Sequence, residues 1–191
     1  NLNIIVIDKD DRYGRVHSNN LGLQYCKDNG IPYMLILDGD TSISAGSLLG
    51  FIQIMEHDKG LAGCSGSIKV RNLNSITTKL TYIEYALGIV LSRFGLSKLG
   101  YVNNLSGAFA MFRVALVDTL SGWRPNSAED YDLTLRMAIH KMRVTHCREA
   151  IAYTDSPETF KELLKQRWLW SGDLLFLTNK YFHYLTPWQL G

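Results

Sequence analysis

Short apolar runs alternate with longer amphipathic stretches along most of the chain. The run Ile4-Ile5-Val6-Ile7 is β-branched throughout and is expected to form a buried strand. Residues 15–29 predict a helix that stops at Gly30, since glycine is the usual residue just past a helix end. Tyr33 to Leu37 predicts a second strand, Leu61 to Val70 a third, and Gly107 to Phe112 a fourth. Val144 to Tyr153 carries one or two more. Between the strands, Ser44 is the expected cap of a helix running to about His57, with Leu48, Leu49, Ile52 and Met55 on its apolar face. A helix over 76–94 would align Leu80, Ile83, Leu87, Val90 and Leu91, and another spans 129–141. Pro157 is expected to open a long final helix, because its missing N–H is not needed in a first turn. Strands alternating with helices predict an α/β domain with a mostly parallel sheet, whose ligands bind beyond the carboxyl ends of the strands.

Composition narrows the class only slightly. With 191 residues, 46% hydrophobic and 20% charged, the chain fits one globular domain with a real core. A net charge of +2 argues for no polyanionic partner. Arg12, Arg15, Lys27, Lys69 and Arg71 are scattered without a basic stripe beside aromatics, so nucleic-acid binding is not expected. The basic stretch KMRVTHCR, residues 141–148, fits a solvated turn and edge strand. Three widely spaced cysteines suit neither zinc nor a disulfide framework and fit a reducing compartment. No apolar run reaches about 18 residues, so no complete membrane span is expected within the sequence. The first residues open directly onto a strand-like run, and the last 18 or so are rich in apolar and aromatic residues. Both ends therefore resemble cuts in something longer.

Chemistry concentrates in a few stretches. In ILDGDTS, Asp38 and Asp40 flank one glycine at the end of a strand. An acidic turn capping the next helix explains it. So does a divalent ion, because hard cations take carboxylate oxygens and leave positions for substrate phosphates. In SAEDYDLTLRM, Glu129, Asp130 and Asp132 sit at a helix start, where the helix dipole favours them; Asp132 is spaced to pair with Arg136. LSGAFAMFR, around Gly107, is a small-residue loop entering a strand. PETFKELLKQRWLW sets Gln166, Arg167, Trp168 and Trp170 on the last helix, where tryptophans also serve as packing or interface anchors.

In this order and spacing the stretches resemble family 2 glycosyltransferases of the processive, membrane-associated type, which includes cellulose, chitin, hyaluronan and poly-N-acetylglucosamine synthases. Asp38-Gly39-Asp40 matches the family's DxD, Glu129-Asp130 its acidic pair, and Gln166 to Trp170 its QxxRW. The stretch RYGRVHSNNLGL, containing Arg15, is similar to a glycine-lysine-asparagine-leucine segment. Likeness runs from residue 3 to about 176. It implies the GT-A fold of nucleotide-diphospho-sugar transferases, a mixed, mostly parallel sheet flanked by helices, in a single catalytic domain over 1–191. The segment 157–191 would be amphipathic and at a membrane interface. It further implies an inverting transfer from a nucleotide sugar (a UDP-sugar is the expected donor) to a glycan hydroxyl, giving a β-glycoside at the cytoplasmic face of a membrane. Mg2+ or Mn2+ would sit on Asp38 and Asp40. Asp130 would be the general base with Glu129 beside it. Arg15 and Arg167 would face the diphosphate, and Gln166, Trp170, Trp168 and Gly107 the acceptor.

Three departures from the family pattern stand out. The family's first strand and uridine-gripping acidic loop have no counterpart here, Ala128 precedes the acidic pair, and Leu169 occupies the QxxRW arginine position. Two rivals follow. A phosphatase of the haloacid dehalogenase type also puts DxD after a strand, yet its downstream lysine and second acidic pair find no match. A catalytically impaired glycan- or nucleotide-binding module of the same fold is the alternative. Self-association through the aromatic C-terminal segment is expected in an excised domain.

Overall fold

The computed structural model describes residues 4–88, 93–97, 102, 104–126 and 128–184. Among these, five strands form one sheet: β1 (Tyr33–Leu37), β2 (Ser42–Ile43), β3 (Leu61–Val70), β4 (Phe109–Arg113) and β5 (Arg143–Thr154), in the order β1-β4-β3-β5-β2. Helices α1 (Gly14–Asp28), α2 (Ser47–His57), α3 (Ile76–Tyr85), α4 (Arg93–Ser97), α5 (Val114–Thr119), α6 (Glu129–Ile139) and α7 (Phe160–Tyr181) flank it.

Period-two alternation on β4 divides the core. Ala110 and Phe112 point to a layer with Leu23 and Cys26 of α1, Val114 and Val117 of α5, and Leu133 and Met137 of α6. Phe109 and Met111 point to the opposite layer, against Phe51 and Met55 of α2. With both faces covered, β3 is buried along nearly its whole length, which explains its unbroken run of small and apolar residues. The three cysteines are free and buried.

Expectation and structure part in several places. The mixed, helix-flanked sheet stands, but β1/β4, β3/β4 and β2/β5 are antiparallel and only β3/β5 is parallel. Apolar runs report burial on two faces, not strand direction, so the mostly parallel expectation is corrected. Ile4 to Ile7 forms no strand, and Ile4 and Val6 are largely open to solvent, because no described strand supplies ladder partners. On α2 the buried positions are Ser47, Phe51 and Met55, one turn apart, and Leu48, Leu49 and Ile52 are exposed. Ser44 does not cap α2: its N–H extends the β2/β5 pairing to the Ile151 carbonyl, and Gly46 takes the cap at φ 85°, a backbone angle that favours glycine. Helix α3 buries Thr78 and Thr81, whereas its Leu80 and Ile83 are exposed, as is Leu87 beyond its end; Val90 and Leu91 lie outside the described residues. Helix α7 begins three residues after Pro157, with Thr159 and Glu162 forming a capping box. The basic stretch 141–148 runs into β5, which lies inside the sheet, so His146 is buried and meets Ser67 Oγ at 3.2 Å.

Candidate active site

The site assembles where β1 ends, where α6 begins, and where the loop into β4 passes between them. The Asp38 N–H donates to the Ala108 carbonyl (3.4 Å), which ties the acidic turn to that loop. Thr41 closes the turn, its N–H donating to the Asp38 carbonyl (3.0 Å) and its hydroxyl to Asp40 Oδ1 (3.2 Å). From α1, Arg15 reaches across: Nη2 is ion-paired with Asp38 and Nη1 lies 3.5 Å from Glu129. Burial works against the Arg15 charge, but Asp38, Glu129 and Asp130 outweigh it and raise its pKa. Burial raises the Glu129 carboxyl pKa, and repulsion from Asp130 adds to the effect; its own backbone N–H and Arg15 oppose it.

Asp130 is held firmly. Its Oδ2 accepts from the Gly107 N–H (2.8 Å) and from Asn104 Nδ2 (3.4 Å), and its Oδ1 accepts from the Tyr131 N–H (2.7 Å). Gly107 leaves room for this: a Cβ there would stand 3.1 Å from Arg15 Nη1 and 3.3 Å from Asp130 Oδ2. Asp132, in contrast, turns into the core. It takes Arg136 Nε at 2.7 Å and the Tyr181 hydroxyl at 2.8 Å, as helical spacing had suggested for Arg136.

Arg15, Asp38, Gly107, Glu129 and Asp130 are thus brought together, with Asp40 on the same turn. The last-helix residues form a second group against α3. Arg167 donates to Glu84 (2.8 Å) and to Gln166 Oε1 (3.2 Å) and lies over the Trp170 ring at 4.4 Å. Arg167, expected to face the diphosphate, is held by Glu84 and would have to leave it to reach such a group. Trp168 is 83% exposed and Trp170 half exposed. Arg71, just past β3, is more than a scattered charge. It pairs with Asp155 and approaches the Asp40 carbonyl and Ser42 Oγ at 3.4 Å each. The strand-end rule, applied to β3, would have singled it out. Asn104 carried no signal in the sequence.

Asp38 and Asp40 suit a divalent ion of the Mg2+ or Mn2+ kind. They are two hard oxygen donors at an exposed strand end, and no described cluster of three or more potential ligands forms a protein cage. Such ions are commonly held by one or two carboxylates and completed by substrate phosphates.

A mixed sheet with helices on both faces and acidic side chains at its strand ends is the GT-A architecture of nucleotide-diphospho-sugar transferases. In fold the chain is similar to the mannosyltransferase PcManGT from Pyrobaculum calidifontis, solved with GDP-Man and Mn2+, at TM-score 0.68 and 15% identity over 93% of this chain and 46% of that one. It is also similar to GalNAc-T7, solved with UDP, GalNAc and Mn2+, at TM-score 0.57 and 9% identity over 78% and 31%. The sequence model of the Glycosyl transferase family group 2 matches residues 33–190, and the chain belongs to that family. Poly-beta-1,6-N-acetyl-D-glucosamine synthase of Staphylococcus aureus (strain COL) is 28% identical over 172 residues, 90% of this chain and 41% of that protein. The Staphylococcus epidermidis protein of the same name is 26% identical over 166 residues, 86% and 40%. The chain therefore spans about two fifths of the curated relatives it matches.

Proposed function

We propose that this chain is the catalytic core of a metal-dependent, inverting glycosyltransferase that moves a sugar from a nucleotide-diphosphate sugar, a UDP-sugar foremost, to a glycan hydroxyl. The observation that carries the reading is the convergence of Asp38, Glu129 and Asp130 around Arg15 at the mouth of the sheet. Asp38 and Asp40 would hold Mg2+ or Mn2+, which when bound supplies Lewis-acid neutralisation of the leaving diphosphate. Arg15 offers a planar fork of donors to the same oxygens, and Glu129 steadies that fork from the other side. Asp130 accepts the proton of the acceptor hydroxyl. The freed oxygen pair forms the bond to the anomeric carbon as the bond from that carbon to the diphosphate oxygen breaks, and its electron pair leaves with the diphosphate. One displacement inverts the centre, so an α-linked donor yields a β-glycoside. Relatives named as poly-N-acetylglucosamine synthases and similar folds solved with nucleotide ligands and Mn2+ support the assignment.

Gln166, Trp168 and Trp170 are proposed to line the acceptor path on the α3/α7 side, with Gly107 closing its inner end. The exposed aromatic residues of α7 and its Lys161, Lys165 and Lys180 support contact with a membrane surface, on the cytoplasmic side in the intact protein. Among the described residues no helix is long and apolar enough to cross a membrane. Calorimetry of UDP binding tests the donor site: binding that needs Mn2+ and is lost in Asp40→Asn supports it, whereas metal-independent binding unchanged in that variant removes the metal reading.

A further inference from the structure

We propose that Asn104 is a positioning residue for Asp130, and that together with the Gly107 N–H it leaves Oδ1 as the atom that takes the acceptor proton. This rests on the general-base reading of Asp130. A carboxylate oxygen has about two acceptor positions. On Oδ2 both are taken, by Gly107 N–H at 2.8 Å and Asn104 Nδ2 at 3.4 Å. On Oδ1 one is taken, by Tyr131 N–H at 2.7 Å, and among the described residues the other is left.

Asn104 is itself held in place. Thr134, buried one turn along α6, accepts from the Leu105 N–H at 3.0 Å, and its hydroxyl lies 3.4 Å from Asn104 Oδ1 and 2.8 Å from the Asp130 carbonyl. The amide orientation is fixed by complementarity: the opposite one would set its oxygen against the carboxylate oxygen. Loop 104–107 and the first turn of α6 are thereby clasped around the reacting carboxylate. The other charges facing Asp130 are Arg15 from α1 and its neighbour Glu129, with Asp38 beyond Arg15; Asp132 is turned away toward Arg136 and Tyr181.

Asn104→Asp is the decisive variant. It preserves size and an oxygen toward Thr134, but replaces the N–H donor with a second negative group. In the full-length protein, Asn104→Ala should lower kcat about tenfold, the worth of one hydrogen bond to a charged group, with the donor KM unchanged. Asn104→Asp should lower it further, and the acidic limb of the kcat profile should move to higher pH in both variants, more in Asn104→Asp. A side chain that merely filled space would give the reverse order, with the isosteric aspartate the milder change. Asn104→Asp as active as Asn104→Ala or more so, or an acidic limb that stays in place, overturns the proposal. Asp130→Asn serves as the control: undiminished transfer there sinks the base reading itself, whereas an inactive Asp130→Asn beside a fully active Asn104→Asp sinks only the role of Asn104.

Discussion

Arg15 is the residue around which the site is organised, because it joins three elements through one guanidinium. Its partners differ in surroundings: Asp38 is partly open, and Glu129 is enclosed to within 8% exposure. The raised Glu129 value has a consequence for stability. A carboxyl whose pKa is raised by folding favours the folded state while protonated, and that contribution is lost as pH rises through the raised value. Glu129→Gln is neutral at every pH. It should therefore melt above the wild type at pH 7.5, with the difference closing toward pH 4; equal melting temperatures across that range would contradict the burial effect. Asp130→Asn should keep nucleoside diphosphate affinity and lose transfer by at least about a hundredfold, the lower range for loss of a general base. Most of these residues were legible in the sequence, because short motifs bring their own geometry: a carboxylate after a strand, an acidic pair at a helix start, a glycine where side chains crowd. Asn104 was not, since it acts through a neighbour that only the folded chain supplies, whereas Arg71 was marked only by its place just past a strand end.

At the scale of elements, periodicity found most of the helices and strands but not which side they bury. Helix α2 has apolar residues nearly all round, so nothing in its pattern chose Phe51 and Met55 over Leu48 and Leu49. Helix α3 misled more strongly, burying two threonines whose hydroxyls donate to carbonyls one turn back and exposing Leu80 and Ile83. Helix α6 was read correctly because its first turn and its Asp132–Arg136 spacing point the same way. That pair is enclosed, and Arg136 also donates to the Leu120 and Gly122 carbonyls at 2.8 Å each. Asp132→Ala would leave Arg136 buried without its counter-charge and should cost about 3–5 kcal/mol. A urea-denaturation midpoint near that of the wild type would show that the pair is not a structural anchor. The Tyr181 hydroxyl, expected at a membrane interface, closes this network from α7 instead. Trp188, in the same segment expected at a membrane interface, lies outside the described residues.

At the scale of the whole molecule, family and fold were more legible than surface. Ile76 and Leu80 of α3, with Phe160, Trp168, Leu175 and Phe176 of α7, are all more than half exposed. Exposed apolar residues on two helices joined by the Arg167–Glu84 pair fit the membrane contact proposed above. The domain should self-associate at high concentration and co-sediment with anionic liposomes, with Trp168→Ser plus Phe176→Ser weakening both. A monomer that ignores liposomes would speak against the membrane reading without touching the chemistry. That chemistry is tested most directly by product analysis on the full-length protein in membranes supplied with a UDP-sugar and Mn2+. The account predicts that UDP is released in step with a β-linked product, that chelation stops the release, and that Asp130→Asn makes neither. Release of inorganic phosphate in place of UDP, or an Asp130→Asn protein that still builds product at the wild-type rate, would contradict it.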